Sequence, residues 1–467
     1  MMRDFQVILL ASLLATICHI MVEARRAVGK RREEPAVGQT TIGTRDWMSD
    51  ESDEWGEEKD LIADGNCTQD ELSTPEETSS DAGVLTGPLP LSVRDRGLVT
   101  TDISTASILR EHGAWHSEER KKVFQGETLG YVTPWNGVGY DFARTFRSKL
   151  TFVSPVWYQI RSGDEMNNSP TGGGNPPFWL AGGHDFDEAW VADVRNGVGE
   201  SGGRSGDAGV TKIVPRVVLE LQGFRLSQAD LREMAELLVE EAVERGYDGY
   251  VLDIPLSDGI EAFVASIKGA AMRRGEDLLL IQSVRPGFSP SARLLERLIP
   301  LVHRFSLMTY DYHPPSGVAR GANTGGGGVP NSPLSWVKEC VEKFAPGEPG
   351  SMLRSMILIG LPFYGYDNGR AITSSDMVSL LAAEKEQVRV GSFQDVSPIS
   401  LDWDPVWREH VMSYRGQHDH DHGSTDHVAT FPTLAFVQER IDLAEELGVG
   451  LALWELGQGM PYFFDLL

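Results

Sequence analysis

Short apolar runs alternate with amphipathic stretches from about residue 95 to the end of the chain. Each apolar run is rich in β-branched or aromatic residues and has the length of a buried parallel strand. The eight predicted strands cover residues 129–133, 152–160, 213–221, 250–254, 278–284, 305–310, 356–361 and 449–454.

Helical patterns occupy most of the gaps between these strands. Ser227 and Asp230 form an acidic variant of the capping box ahead of a periodic apolar stretch, and Gly448 is placed to end a later helix. Eight strands with helical crossovers predict a (β/α)8 barrel. A doubly wound open sheet is the alternative, but no Gly-rich dinucleotide fingerprint follows the first strand.

Two segments interrupt the barrel pattern. Residues 197–209 are rich in Gly and Ser and predict a surface insertion. Residues 366–431 separate the seventh and eighth strands and are too many for a simple connection. Within them, residues 407–414 and 427–431 are predicted to pair as strands, which indicates a small α+β insertion.

The first 94 residues are predicted to lie outside the barrel. Residues 1–24 combine Arg3, an apolar run and a small-x-small cleavage site, which predicts a cleaved secretory signal rather than a retained anchor. Residues 25–94 lack apolar periodicity and predict a disordered acidic spacer, so the barrel domain spans 95–467. The glycosylation sequon at Asn66 fits a secreted or lumenal protein without a membrane span in its mature form.

The composition of the chain limits the classes of molecule that it can bind. The formal net charge of -26 argues against nucleic acid and anionic membranes, and it is compatible with a neutral sugar. Once the signal is removed, Cys67 and Cys340 remain, too few for a disulfide scaffold, and they either pair or stay as free thiols.

The segment from Tyr247 to Pro255 carries the most informative chemistry. It reads YDGYVLDIP and resembles the Asp-Gly-x-Asp-x-Asp-x-Glu strand of family 18 glycoside hydrolases, the chitinase family. Asp248 and Asp253 match family aspartates, whereas Val251 replaces the middle aspartate and Pro255 replaces the glutamate.

This resemblance implies a specific loss of chemistry. In family 18 the glutamate protonates the glycosidic oxygen, and the substrate's own acetamido group is the nucleophile, unlike the two-carboxylate scheme. Proline cannot be a general acid, and loss of that acid costs about 10²- to 10⁴-fold in rate. Strand alternation turns Val251, Asp253 and Pro255 toward one face, the barrel interior and mouth. We expect the Tyr310 hydroxyl to be the hydrogen-bond partner of Asp253.

Other segments resemble the same family. Met308, Tyr310 and Asp311 match its Met-x-Tyr-Asp motif, and Trp454 matches the tryptophan that floors the sugar subsite. The resemblance covers residues 95–467 and implies a barrel, a sugar-related role, secreted or lysosomal routing and binding to a receptor protein.

Sugar binding requires aromatic faces for pyranose rings and polar groups for hydroxyls. The candidate sugar-binding residues are those near predicted strand ends: Tyr131, Trp135, Trp157, Glu220, Asp253, Met308, Tyr310, Asp311, Tyr364, Trp454 and Glu455.

Three hypotheses follow. A lectin-like protein that binds chitooligosaccharides or related glycans is favoured. An active glycosidase with Glu220 or Asp253 as a relocated acid is the second, and a protein-interaction module with an idle cleft is the third. We predict no cofactor and no metal, because the histidines in residues 418–422 alternate in a Gly-flanked loop and residues 325–328 lack a phosphate-loop Lys.

Overall fold

The computed structural model describes residues 83–162, 178–197, 210–221, 226–257, 259–313, 329–390, 399–415 and 426–467, without the side chains of 384–390. The predicted signal peptide, nearly all of the acidic spacer, Asn66, Cys67, the Gly run at 325–328 and the histidines of 418–422 lie outside these residues.

Eight parallel strands close into a barrel, which confirms the predicted fold. The second and third strands are each interrupted once. The first half of the second strand pairs with the first half of the third, and the two second halves pair with each other. The eighth strand pairs with the seventh and the first, so the ring is complete. In order, the strands are Thr128–Val132, Phe152–Pro155 with Tyr158–Ser162, Lys212–Ile213 with Arg216–Glu220, Gly249–Leu252, Leu279–Val284, Arg304–Leu307, Ile357–Pro362 and Gly450–Trp454.

Helices follow most strands and cover the barrel. The predicted capping box is present, since the Ser227 hydroxyl accepts the backbone N–H of Asp230 and the Asp230 carboxylate accepts that of Ser227. Gly448 ends the last long helix in the left-handed conformation, at φ 67°. The helices are Thr105–Glu111, Gly137–Thr145, Glu188–Asn196, Gln228–Arg245, Ile260–Arg273, Ala292–Leu298, Leu334–Phe344, Met352–Ser355, Ser374–Val390 and Leu434–Leu447. In the described ranges, no helix is both long and apolar enough to cross a bilayer.

Apolar side chains fill the barrel in a cluster of their own, separate from the larger core between strands and helices. Val251 belongs to the inner cluster, as strand alternation predicts. The other buried members are Leu129, Tyr131, Phe152, Val214, Leu279, Ile281, Leu358 and Ala452. Because the side chain of residue 251 points inward, that of Asp253, two residues later, lies on the same face at the mouth of the barrel.

The predicted insertion between the seventh and eighth strands is confirmed. It is a five-stranded antiparallel sheet with the helix Ser374–Val390, and residues 409–415 pair with 426–430 as expected. Its strands, in spatial order, are Arg370–Ile372, Gly365–Asp367, Asp426–Thr430, Glu409–Arg415 and Ser400–Asp404.

Six of the described strands were not predicted. Three are the insertion strands Gly365–Asp367, Arg370–Ile372 and Ser400–Asp404, and the other three lie outside the insertion. Thr86–Leu89 pairs in parallel with Gly113–His116, so regular structure begins inside the stretch that we assigned to the spacer. The Asp465 carboxylate helps to hold this pair, because it accepts the backbone N–H of His116 at 2.7 Å. Phe178–Ala181 pairs antiparallel with the upper half of the second barrel strand.

A buried ion pair joins the insertion to the barrel. Glu409 accepts the backbone N–H groups of Asn331 at 3.1 Å and Ser332 at 2.7 Å, and it lies 3.7 Å from the guanidinium of Arg440. Arg440 also donates to the carbonyl oxygens of Ser332 and Arg408, each at 2.6 Å. Burial raises the pKa of Glu409 and lowers that of Arg440 to about 10. The hydrogen bonds therefore stabilise two charges that water does not reach.

Arg440→Leu should lower the free energy of unfolding by about 3–5 kcal/mol, because Glu409 would be left buried without its cation. Urea denaturation at pH 7 measures this loss. Arg415→Leu is the control, since Arg415 pairs with Asp426 at the surface, and it should change stability little. Equal losses in the two variants would contradict the assignment.

Candidate functional site

An aromatic cluster lies at the carboxyl ends of the barrel strands, where barrel active sites are built. Trp454 ends the eighth strand, and its ring centroid lies 5.0 Å from that of Tyr131 and 6.3 Å from that of Tyr310. The Tyr310 ring is nearly parallel to it, at 25°. The guanidinium carbon of Arg216 is 5.7 Å from the Trp454 ring centroid. The partly exposed indole of Trp454 is thus surrounded by side chains from the first and third strands and from the segment after the sixth.

Asp253 is paired with Arg216, so the prediction that the Tyr310 hydroxyl is its hydrogen-bond partner is wrong. The Arg216 Nε donates to Asp253 Oδ2 at 2.9 Å, and Nη2 donates to the same oxygen. Arg216 lies opposite Val251 in the register of the third and fourth strands, which brings its side chain to the same inner face. The register of the two strands thus brings the arginine and the aspartate together.

The two phenols beside Trp454 are buried and keep their protons. The Tyr131 hydroxyl lies 3.2 Å from Ser306 Oγ, and burial raises the pKa of Tyr131 to about 12. Burial also raises the pKa of Tyr310. Both hydroxyls are therefore donors at any physiological pH.

Asp311 faces solvent at the end of the sixth strand and is oriented by several neighbours. Its backbone is in the left-handed region, at φ 59°, and its N–H donates to Asn331 Oδ1 at 2.9 Å. Its carboxylate accepts the hydroxyls of Tyr364 and Tyr366. Burial raises the pKa of both phenols, that of Tyr366 to about 12. Sequence analysis missed Asn331 and Tyr366, although Tyr366 follows Tyr364 at the spacing of one strand face.

Two further predicted residues lie near their expected places. Glu220 ends the third strand, is exposed and lies 3.1 Å from Arg161 of the second strand. Met308 follows the sixth strand, is half-buried and donates its N–H to the carbonyl of Val284.

Trp157 and Trp135 lie apart from the Trp454 cluster. Trp157 is buried outside the barrel, where its Nε1 donates to the Tyr140 hydroxyl at 2.7 Å and its ring packs on Trp190. Trp135 is 72% exposed and lines a groove beside the helix Gly137–Thr145.

Glu455 follows Trp454 but is fully buried. Its carboxylate accepts Asn136 Nδ2 at 2.6 Å and the backbone N–H of Gly457 at 3.0 Å. A methyl group at Gly139 would come within 3.0 Å of it, so the helix Gly137–Thr145 packs directly over this carboxylate. Burial raises the pKa of Glu455 to about 7. These contacts assign Glu455 to the packing of the eighth strand against that helix, where solvent does not reach it.

The segment after the fourth strand is held by Gln282 of the fifth. The Gln282 Nε2 donates to the carbonyl oxygens of Ile254 at 2.7 Å and Leu252 at 3.2 Å. Pro255 is exposed in this segment. Residue 255, which the sequence resemblance aligns with a glutamate, is therefore an exposed proline next to a backbone segment held by hydrogen bonds.

The chain matches no protein-family model. It is similar to the Bacillus cereus spore cortex-lytic enzyme SleL, with 16% identity over 73% of each chain and a TM-score of 0.47. It is similar to the C-terminal domain of a putative chitinase from Desulfitobacterium hafniense, with 17% identity over 73% of this chain and 96% of that one, and a TM-score of 0.47. It is also similar to a family 18 chitinase from Cycas revoluta in complex with allosamidin, with 13% identity, 73% and 98% coverage and a TM-score of 0.44.

Glu455→Gln should change how stability depends on pH. A carboxyl group whose pKa rises from 4.5 in the unfolded chain to about 7 in the folded protein stabilises the fold when protonated. That contribution is complete below pH 4.5 and is lost as the pH rises to 7, by on the order of 3 kcal/mol. The variant should therefore gain stability relative to the wild type across this window.

Urea denaturation of both proteins at several pH values measures the difference. Glu118→Gln, at an exposed residue, is the control and should show a constant difference. A constant difference for Glu455→Gln as well would contradict the assigned burial.

Proposed function

We propose that the barrel mouth binds a chitooligosaccharide or related glycan and does not hydrolyse it, as a chitinase-like lectin of family 18. The observation that carries the proposal is the Arg216–Asp253 pair beside Trp454, with Pro255 where the acid would be. Within the family, the segments at residues 129–136 and 306–312 resemble chitinase domain-containing protein 1, also called stabilin-interacting chitinase-like protein.

The mouth supplies the groups that a sugar needs. Trp454 offers an aromatic surface for the apolar face of a pyranose, and the Tyr310 hydroxyl and Arg216 are donors beside it. Asp311 and Glu220 present exposed carboxylates that accept hydroxyl hydrogens. Donors and acceptors around one ring surface favour a neutral, hydroxyl-rich ligand.

The same residues argue against hydrolysis. Asp253 and Glu220 are each ion-paired with an arginine, and an ionised carboxylate accepts hydrogen bonds but has no proton to give. Val251 supplies no second carboxylate behind them. We further propose a secreted or lysosomal location and a receptor partner, which the signal-like N-terminus, the Asn66 sequon and the family resemblance favour.

Chitotetraose should quench the intrinsic tryptophan fluorescence in a saturable way. Trp454→Ala should weaken binding at least about tenfold, since loss of a central aromatic contact commonly costs more than 1.4 kcal/mol. Trp403→Phe, in the insertion, is the matched control and should bind as the wild type does. A thermal unfolding curve checks that each variant folds.

If no glycan of a broad panel gives a saturable response, the mouth is not a sugar site. That result would favour the protein-interaction module instead.

A fluorogenic chitobioside should give no turnover with the wild type and measurable turnover with Val251→Asp combined with Pro255→Glu. The new aspartate would lie opposite Arg216, which provides a cation for it, and the new glutamate restores the acid. Val251→Asn with Pro255→Gln is the isosteric control and should stay inactive. Wild-type turnover that disappears in Asp253→Asn or Glu220→Gln would establish the glycosidase with a relocated acid.

A further inference from the structure

Two lysines without a carboxylate partner lie at the end of the barrel opposite the mouth. Lys122 precedes the first strand, and Lys212 begins the first half of the third strand. Neither ammonium group comes within 4.0 Å of a carboxylate oxygen in the part of the chain that the structure describes. Unpaired cations are unexpected in a chain with a formal net charge of -26.

Thr151, just before the second strand, contacts both lysines. Its Oγ1 accepts hydrogen bonds from Lys122 Nζ at 3.3 Å and from the backbone N–H of Thr128 at 3.1 Å. Its carbonyl oxygen accepts the backbone N–H of Lys212 at 3.0 Å. A hydroxyl group also has one hydrogen to donate, and no described residue accepts the hydrogen of Thr151.

The Lys212 side chain extends toward the same place. Its Nζ lies 6.0 Å from the ring centroid of Phe152, the residue after Thr151. Lys212 is exposed, and Thr151 and Lys122 are half-buried. Two ammonium groups and one hydroxyl donor thus flank the start of the second strand and reach solvent.

The nearby carboxylates already have cationic partners. Glu127 accepts a hydrogen bond from Arg304, with 2.8 Å between Nη2 and Oε1. Asp248 accepts the backbone N–H of Ile213 at 2.8 Å and is paired with Arg195 at 2.5 Å. The charges of Lys122 and Lys212 therefore remain uncompensated at close range.

Burial makes the charge of Lys122 costly. It lowers the pKa of Lys122, and the negative charge of Glu127 opposes this shift. A cation that loses hydration without a close counter-charge is unfavourable. An anion bound at Lys122 would remove part of that cost.

His303, before the sixth strand, also lies in a positive potential. Burial lowers the pKa of His303, and the positive charge of Lys268 lowers it further. The charges of Arg304 and Lys212 act in the same direction, and that of Asp277 opposes them. Positive potential therefore extends across this end of the barrel.

We infer that Lys122, Thr151 and Lys212 bind the phosphate group of a small, soluble phosphomonoester. At neutral pH such a group carries about -1.5 to -2 charges and three acceptor oxygens. Two ammonium groups and one hydroxyl match that charge and those acceptors, since lysine binds phosphate as a point charge. The site shares no residue with the barrel mouth and stands whether or not the mouth binds a glycan.

Isothermal titration calorimetry of the full chain with glycerol 3-phosphate tests this inference. At low ionic strength the dissociation constant should be below ~1 mM. Methyl sulfate, a monoanion, should bind at least about tenfold more weakly, because it lacks the second charge. Added NaCl should weaken the binding of glycerol 3-phosphate.

Lys212→Gln should weaken the binding of glycerol 3-phosphate at least about tenfold, because it removes one of the two charged donors. Lys212→Arg should retain most of the affinity, since it keeps the positive charge. Lys338→Gln is the matched control and should bind as the wild type does, because Lys338 is exposed and pairs with Glu446 at 2.7 Å. A thermal unfolding curve checks that each variant folds.

Three results would overturn the inference. The first is the absence of a saturable heat at millimolar glycerol 3-phosphate. The second is equal weakening in Lys212→Gln and Lys338→Gln, which would indicate diffuse attraction without a site. The third is binding to phosphatidic acid vesicles without binding to glycerol 3-phosphate, which would make this face a membrane contact.

Discussion

The ion pair between Arg216 and Asp253 is the constraint on which the barrel mouth depends. The side chains below it are apolar, and a lone carboxylate beside Val251 would be costly to bury. Arg216 removes that cost and at the same time brings a guanidinium next to Trp454. One interaction therefore balances the charge of Asp253 and places a cation beside the Trp454 ring.

Local patterns predicted much of the fold. Each barrel strand begins within one residue of its predicted start, and the capping box at Ser227 is present, because both depend on neighbours along the chain. The partner of Asp253 depends on the register between two strands. The periodicity of a single strand does not specify that register. Trp157 was misplaced for a related reason. The second strand is interrupted at residues 156–157, so alternation breaks there and the indole turns outward.

A buried carboxyl group with a shifted pKa is not necessarily a functional group in this protein. A strongly raised pKa commonly marks a catalytic acid, yet here it belongs to Glu455, which is enclosed by Asn136 and two glycine backbones. The exposed carboxylates of Glu220 and Asp311 are the ones that a ligand can reach. In this barrel, the exposure of a carboxylate identifies it as a candidate ligand contact better than its pKa does.

Gln282 separates the support of the backbone from the chemistry of the side chains at the mouth. Its amide donates to two carbonyl oxygens of the main chain after the fourth strand, so that segment is held through its backbone and not through the side chain of residue 255. A substitution at residue 255 can therefore alter the chemical character of the mouth while this anchor keeps the segment attached to the fifth strand.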